Sequence, residues 1–183
     1  LRAAKKRGWS VTGIEPNTSA RNLANSMDPN TVFDSDALQA FQDQSFDVIT
    51  LWHVLEHLPD LEDDIKTVQK LLKPNGCVVV AVPNFKSYDA NYYKGFWAAY
   101  DVPRHLWHFS QQSISMLFSK VQMKLESTHP LVMDAYYVSL LSNKLKSRSY
   151  RILNSLWVGF ISNLKALKSG EYSSLIYVLK NKN

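Results

Sequence analysis

The 183-residue chain lacks the residues that cross-link secreted proteins or bind structural metals. It contains one cysteine, Cys77, so no disulfide can form within it, and nothing resembles a structural zinc site. We therefore expect a reducing, cytoplasmic setting. Long apolar runs are also missing, since a transmembrane helix needs about 20 such residues. No signal-peptide pattern is present, and we expect no transmembrane segment.

The chain also has only a small excess of positive charge. The formal net charge is +5, and the basic residues are spread along the chain with small clusters at 5–7 and 144–151. Proteins that bind nucleic acid concentrate such residues on one face, so we expect no nucleic-acid partner. A hydrophobic content of 45% at this length predicts a single domain over residues 1–183.

Strand-like and helix-like segments alternate, which predicts an α/β fold with a mainly parallel sheet. Residues 46–51 (FDVITL) and 77–82 (CVVVAV) are nearly all apolar, which is typical of strands buried on both faces. The spacing of leucines and isoleucines predicts a helix over 59–72, and residues 73–76 (KPNG) predict a turn. Shorter strands are predicted over 10–15, 31–33, 123–128 and 174–179, and further helices over 20–26, 113–119, 135–145 and 152–167.

Acidic residues follow two of the predicted strands. In an open parallel sheet, ligands bind beyond the carboxyl ends of the strands. Glu15 ends the first strand, and its two carboxylate oxygens suit the two hydroxyls of a ribose; alternatively it is a solvated turn acid before Pro16. Asp36 could accept the exocyclic amine of an adenine, while a neighbouring backbone N–H meets a ring nitrogen. The alternative for residues 34–36 (DSD) is an Asx turn.

A third strand ends at Leu51, so Trp52 and His53 should lie where the chain turns over the same edge. His53 could instead be a packed or capping histidine, and His57 fits a structural role better. Glu56 and His57 lack the i, i+4 spacing of helical metal ligands, so no metal site is predicted. The aromatic segment 84–110 is predicted to be a lid over an apolar pocket; the alternative is a loop held to the core by its rings, and we expect a mixture.

These motifs together resemble the class I S-adenosylmethionine-dependent methyltransferases, in particular the ubiquinone-biosynthesis type that acts on small molecules. They are Glu15, the aspartate turn, FDVITLWHVLEHLPD, LLKPNGCVVVAVPN and PRHLWHFS. The resemblance implies a Rossmann-like sheet of order 3-2-1-4-5-7-6 with strand 7 antiparallel. It implies methyl transfer from S-adenosylmethionine to oxygen or carbon of a small or lipid-like acceptor. Two alternatives are a non-catalytic binding protein on the same fold and a nicotinamide dehydrogenase, which also ends its second strand on an acid.

The resemblance also implies roles for individual residues. Glu15 would bind the cofactor ribose, Asp36 and Ala37 the adenine, and Leu51, Trp52 and His53 would lie beside the methionine part. An oxygen acceptor needs a base, for which His105 is the first candidate, followed by His108 and His53. Arg104 would pair with a carboxylate or phosphate of the substrate. The further predicted substrate contacts are Tyr88, Trp97, Trp107 and Tyr136.

One expected feature is missing. The chain has only six glycines, and none form the Asp/Glu-x-Gly-x-Gly-x-Gly turn that follows strand one in the family. The chain starts at Leu1, in what reads as the end of the helix after that turn. We therefore expect that the natural N-terminus and strand one are absent. Cofactor binding by this chain alone should then be weak or lost, because glycines let the backbone approach the cofactor.

Overall fold

The computed structural model describes residues 1–182, which divide into two compact units, Leu1–Ser45 and the part from Phe46 onward. Strands alternate with helices in both units, so the predicted α/β fold class is confirmed. The prediction of a single domain over 1–183 stays a prediction. Among the described residues, no helix combines the length and apolarity needed to cross a bilayer.

The first unit contains a parallel pair of short strands. β1 pairs with β2, with Gly13 opposite Val32 and Ile14 opposite Phe33. A helix follows β1 directly because the Asn17 side chain accepts the Ala20 N–H at 3.0 Å, which caps the first turn. The elements are α1 (Arg2–Lys5), β1 (Gly13–Ile14), α2 (Thr18–Met27), β2 (Val32–Phe33) and a 3₁₀ helix (Ser35–Ala40).

The second unit contains a four-stranded sheet in the order β3-β4-β6-β5. β3 runs parallel to β4, and β6 is antiparallel to both of its neighbours, as the resemblance implies for the family's strand 7. The full seven-strand order stays a prediction. The strands are β3 (Phe46–Trp52), β4 (Leu72–Pro83), β5 (Met123–Pro130) and β6 (Ser174–Asn181). The helices are α3 (Leu61–Leu71), α4 (Tyr88–Tyr93), α5 (Gln111–Ser119), α6 (Asp134–Ser147) and α7 (Ile152–Ser169), with 3₁₀ turns at Leu55–His57, Lys94–Phe96 and Ala98–Tyr100.

Two hydrophobic clusters stabilise this unit. The larger joins the sheet to α3 and α5, and it includes the fully buried Val78, Val80, Ile114 and Phe118. The smaller joins the aromatic segment to α6 and α7, and it contains Tyr93, Trp97, Ala99, Val138 and Val158. Each large apolar side chain buried in this way contributes about 1.5–3 kcal/mol relative to exposure.

Two local predictions were wrong. Residues 73–76, predicted as a turn, belong to β4, which begins directly after α3 at Leu72. The sheet accommodates them in a bulge, because the pairing shifts from Phe46 opposite Leu72 to Val48 opposite Cys77. Residues 46–51 were predicted to be buried on both faces, but they are half-buried or exposed. The reason is that β3 is the edge strand of the four-stranded sheet.

Candidate functional site

The first unit brings the predicted nucleotide-binding residues to one edge. β1 and β2 are parallel and in register, so Glu15 and Asp34 follow them at the same end. The Glu15 N–H donates to the Phe33 carbonyl at 2.9 Å, which continues the pairing. Glu15 Oε1 accepts the Asn17 N–H at 2.9 Å, whereas Oε2 makes none of the hydrogen bonds found among residues 1–182. One carboxylate oxygen therefore orients the side chain, and the other is available to a ligand.

Arg21 connects the two strand ends, a role that the sequence analysis missed. Its Nη1 donates to the Glu15 carbonyl at 2.6 Å, and its Nη2 lies 2.8 Å from Asp34 Oδ2. Arg21 lies in α2, one turn after the cap at Asn17. An arginine in the first turn of the helix after a strand was the signal that could have pointed to this role.

Asp36 and Ala37 lie in the 3₁₀ helix that follows β2. Asp34 Oδ1 accepts the Ser35 N–H at 2.6 Å, so the Asx turn considered as the alternative does form at Asp34. The Asp36 side chain is exposed at the edge, free to meet a ligand. The Ala37 N–H donates to the Asp34 carbonyl at 3.1 Å and is therefore already engaged. The adenine-binding roles of both residues stay predictions.

In the second unit, β3 ends in a strained turn at His53. Leu51 is half-buried, Trp52 is exposed, and His53 has a left-handed backbone with φ of 51°, which is uncommon outside glycine. The His53 N–H donates to the Ala81 carbonyl at 2.9 Å, which holds this turn on β4. Non-glycine residues in such a conformation persist only where the surroundings fix them, and they cluster at functional sites.

Two carboxylates flank the His53 ring. Nε2 lies 3.5 Å from Asp134 Oδ2, and Nδ1 lies 3.2 Å from Glu56 Oε1. Hydrogen bonding to Asp134 and then to Glu56 raises the pKa of His53 to about 9. Burial of Asp134 opposes its ionisation, but the hydrogen bond and charge of His53, together with the contribution of Ser174, outweigh this and lower the pKa of Asp134. His53 is therefore an imidazolium at neutral pH, with no lone pair to accept a proton, which favours a binding role over that of a base.

Glu56 holds the turn between β3 and α3 in place, a role that no sequence pattern predicted. Its side chain is buried, and Oε2 has no hydrogen-bond partner among the described residues. Its backbone carbonyl accepts the Leu106 N–H at 2.8 Å, which holds the aromatic segment on this turn. Glu56, His57 and His105 each offer one ligand atom, and these atoms lie within 4.8 Å of one another, so they could hold a cation. The prediction of no metal site considered only the local spacing, whereas His105 comes from the aromatic segment.

The remaining predicted histidines have fixed tautomers. A carbonyl oxygen can only accept a hydrogen bond, so the ring nitrogen facing it carries the proton. His105 Nδ1 donates to the Ala99 carbonyl at 2.8 Å, and His108 Nε2 donates to the Tyr100 carbonyl at 2.9 Å. His57 Nδ1 lies 3.0 Å from the Arg104 carbonyl, a contact consistent with its predicted structural role. In the neutral rings, His105 Nε2, which lies 3.9 Å from Asp101 Oδ2, and His108 Nδ1 therefore carry the lone pair that a base requires.

Several predicted substrate residues hold the aromatic segment in place. Trp97 is only 2% exposed, and its Nε1 donates to the buried Asp89 at 2.7 Å. Trp107 Nε1 donates to the Leu58 carbonyl at 2.7 Å. The exposed Arg104 pairs with Asp101 at 2.6 Å. These contacts are those of a loop held to the core by its rings.

The structure brings four predicted residues together and leaves three apart. Trp97, His105, Trp107 and His108 line one narrow apolar crevice, together with Pro83, Phe85, Ala99 and Phe109. Tyr88 lies elsewhere, with Lys165 Nζ 4.0 Å above its ring centre. Tyr136, which belongs to α6, packs against Gly159 of α7. Arg104 also lies outside the crevice.

Comparisons with known proteins agree with this geometry. A family model described as a methyltransferase domain matches residues 1–128. The ubiquinone biosynthesis O-methyltransferase of Coxiella burnetii is 33% identical over 94 residues, a match that spans 47% of this chain and 40% of that protein's length. The [4+2]-cyclase SpnF has a similar fold, with a TM-score of 0.60 at 15% identity over 100% of this chain and 70% of that one.

A structure with bound cofactor is also similar. It is the phosphoethanolamine N-methyltransferase 2 of Haemonchus contortus in complex with S-adenosyl-L-methionine, with a TM-score of 0.58 at 17% identity, covering 100% of this chain and 45% of that one. The family match argues against the alternative that the protein is a nicotinamide dehydrogenase. The chain belongs to the methyltransferase domain family, with the Rossmann-like fold of the class I S-adenosylmethionine-dependent enzymes.

Proposed function

We propose that the protein transfers a methyl group from S-adenosylmethionine to a small-molecule acceptor. The observation that carries the proposal is the edge of the first unit, where Glu15, with one free carboxylate oxygen, and the exposed Asp36 follow two parallel strands. These carboxylate oxygens suit a nucleoside, because they can accept hydrogen bonds from the ribose hydroxyls and the adenine amine. Membership in the methyltransferase domain family supports the same cofactor.

We assign the cofactor contacts as follows. Glu15 binds the ribose, Asp36 and Ala37 contact the adenine, and Leu51, Trp52 and His53 contact the methionine part. Both ring N–H groups of His53 face carboxylates, Glu56 and Asp134, so His53 would contact the methionine part through its ring and backbone and hold these two acids in place beside it. When bound, the sulfonium supplies an electrophilic methyl group, and the residues of the chain orient it and exclude water.

The acceptor residues come from the aromatic segment. Holding two reactants in line can supply about 7–11 kcal/mol of the barrier, so positioning is the main task of the protein. His105 is the proposed base for an oxygen acceptor because Nε2 keeps its lone pair, and His108 is the second candidate. The proposed substrate contacts are Arg104, Tyr88, Trp97, Trp107 and Tyr136. Trp97 could reach an acceptor only after a movement of this segment, because it is buried.

We further propose that the acceptor atom is oxygen. The C. burnetii relative is named an O-methyltransferase, and an oxygen acceptor is the one that needs a base. A lipid-like phenol or alcohol matches the apolar lining of the crevice beside His105 and His108, which has no room for a water molecule and would have to widen to admit it.

Calorimetry with S-adenosylhomocysteine tests the cofactor assignment. The protein as its gene encodes it should bind, and Glu15→Ala should weaken binding by about 1.5–3 kcal/mol, or about 10- to 150-fold, the scale of hydrogen bonds to charged groups. The control is Asp47→Ala, which removes an exposed acid of β3 that pairs with Lys73. Absence of binding by the unmodified protein, or equal affinity of the Glu15 variant, would refute the proposal.

A non-catalytic role on the same fold is the second candidate. The fold alone does not determine methyl transfer, since the structurally similar SpnF is named a cyclase, so a chain of this fold need not transfer a methyl group. Transfer of a labelled methyl group to phenolic acceptors discriminates between the two roles. Cofactor binding without any transfer would support the second candidate.

A further inference from the structure

Helix α7 has the reverse of the usual amphipathic arrangement. Its buried residues are small or of medium size, namely Ser155, Val158, Gly159, Ser162 and Ala166. Seven of its large apolar residues are between 48% and 84% exposed, whereas Ile161 is half-buried; the seven are Ile152, Leu153, Leu156, Trp157, Phe160, Leu164 and Leu167. A surface helix of a globular protein normally turns such residues toward the core. We call these seven residues the apolar stripe.

The apolar stripe is one continuous surface. At about 100° per residue, its seven members fall within an arc of about 140°, and they extend over about 22 Å of helix. The rings of Trp157 and Phe160 are neighbours, with centroids 6.1 Å apart. Contiguous exposed apolar surface of this kind marks a site of interaction with a protein or a membrane.

Packing on the opposite side fixes the orientation of the helix. A Cβ added at Gly159 would lie 3.0 Å from the backbone N and Cα of Tyr136, so only a glycine allows α6 to approach this closely. Ser162 Oγ donates to the buried Asp89 at 2.6 Å. Rotating α7 to bury the apolar stripe would break this hydrogen bond and force large side chains into the contact with α6. The exposure of the stripe is therefore built into the fold.

Basic residues precede and follow the apolar stripe along the chain. Residues 135–169 contain six of the 21 lysines and arginines and none of the 16 acids, so the rest of the chain has fifteen basic and sixteen acidic residues. Four of these cations precede α7 and two lie in its last turns: Lys144, Lys146, Arg148, Arg151, Lys165 and Lys168. Within residues 1–182, none of the six forms an ion pair with an acid.

We propose that α7 and its flanking cations bind the surface of an anionic lipid membrane. The apolar stripe would enter the boundary between headgroups and acyl chains, with Trp157 at the interface where indole rings are favoured. The lysines and arginines at both ends would contact lipid phosphates. A second copy of the chain fits this surface poorly, because it would bring two faces of charge +6 together. The proposal is independent of methyl transfer.

Vesicle sedimentation of the protein as its gene encodes it tests the proposal. The protein should sediment with phosphatidylcholine vesicles that contain phosphatidylglycerol, less with phosphatidylcholine alone, and less as salt is raised. The double variant Leu153→Asp, Phe160→Asp should partition at least about tenfold less. Neutralising Lys144 or Arg151 to Gln should weaken binding about fivefold each, since one such contact contributes about 1 kcal/mol.

Two matched controls accompany these variants. Met116→Asp places the same charge on an exposed apolar position of α5, and Lys124→Gln removes an exposed cation from β5. Both should bind vesicles like the unmodified protein, and thermal melts should show that every variant folds. The proposal is overturned if the unmodified protein stays in the supernatant with anionic vesicles, or if the stripe variant binds as well as the controls. A dimer that dissociates in the Phe160 variant, without vesicle binding, would assign the surface to a second copy.

Discussion

The hydrogen bonds of Asp89 give the sharpest stability prediction. Asp89 is fully buried on α4, and it accepts three hydrogen bonds. Oδ2 accepts from Trp97 Nε1 and Ser173 Oγ, both at 2.7 Å, and Oδ1 accepts from Ser162 Oγ at 2.6 Å. The donors belong to the aromatic segment, to the start of β6 and to α7. One carboxyl group therefore joins three parts of the second unit.

The expected loss for Asp89→Ala is about 4 kcal/mol. The Trp97 N–H would be left buried without an acceptor, at about 1–3 kcal/mol, and each serine would lose about 0.5–1.5 kcal/mol. Asp89→Asn should cost only about 1–2 kcal/mol. Its amide oxygen can replace Oδ2, and its NH₂ group can donate to Ser162, whose hydroxyl also accepts.

Urea unfolding followed by circular dichroism measures these losses. With an m-value of about 2 kcal/mol/M, Asp89→Ala should lower the midpoint by about 2 M. The control Asp63→Ala, at a position on α3 whose side chain is 78% exposed, should change stability by less than about 0.5 kcal/mol. The reasoning is refuted if Asp89→Ala loses less than about 1 kcal/mol, or if Asn costs as much as Ala.

Two further predictions concern His53 and Gly159. The pKa of His53 is raised from 6.5 to about 9, so its contribution to stability is fully present below pH 6.5 and is lost as pH rises through about 9. The contribution is small because 42% of the side chain is exposed. In NMR the ring should titrate near pH 9, and at a lower pH in Asp134→Asn, where only Glu56 still raises its pKa; titration of the unmodified protein near pH 6.5 would contradict the ion pair. Gly159→Ala should cost about 1–3 kcal/mol by overpacking against Tyr136, measured as a lower melting temperature. Gly95→Ala, with nothing within 4 Å of the added Cβ, is its control, and equal effects would contradict the close approach.

Much of the fold could be predicted from residue patterns, because the patterns are local. The apolar run 77–82 lies in β4, and the periodic segment 59–72 contains α3. The turn predicted at 73–76 was wrong because these residues form an irregular, unpaired stretch within β4, whose pairing with β3 stops at Leu72 and resumes at Cys77. The burial predicted for 46–51 was wrong because apolar composition does not tell a central strand from an edge strand.

The site could be predicted only in part. Glu15 comes directly after β1, and Asp36 lies in the 3₁₀ helix that follows β2, so their common edge follows from chain order. Arg21 and Glu56 act through contacts with backbone groups, and Asp89 meets Ser162 from 73 residues away, which no local pattern encodes. Sequence reasoning identified the groups that end strands and missed those that hold the strand ends together.

The hydrogen bonds of His53 and His105 separate two roles that the sequence could not tell apart. Both histidines were candidates for the base, because an imidazole titrates near neutral pH. Asp134 and Glu56 hold His53 in its charged form, which cannot accept a proton. The Ala99 carbonyl instead holds a proton of His105 on Nδ1, so in the neutral ring Nε2 carries the lone pair. Under the proposed function, His53 therefore belongs to the turn that contacts the cofactor, and proton removal from an oxygen acceptor belongs to His105.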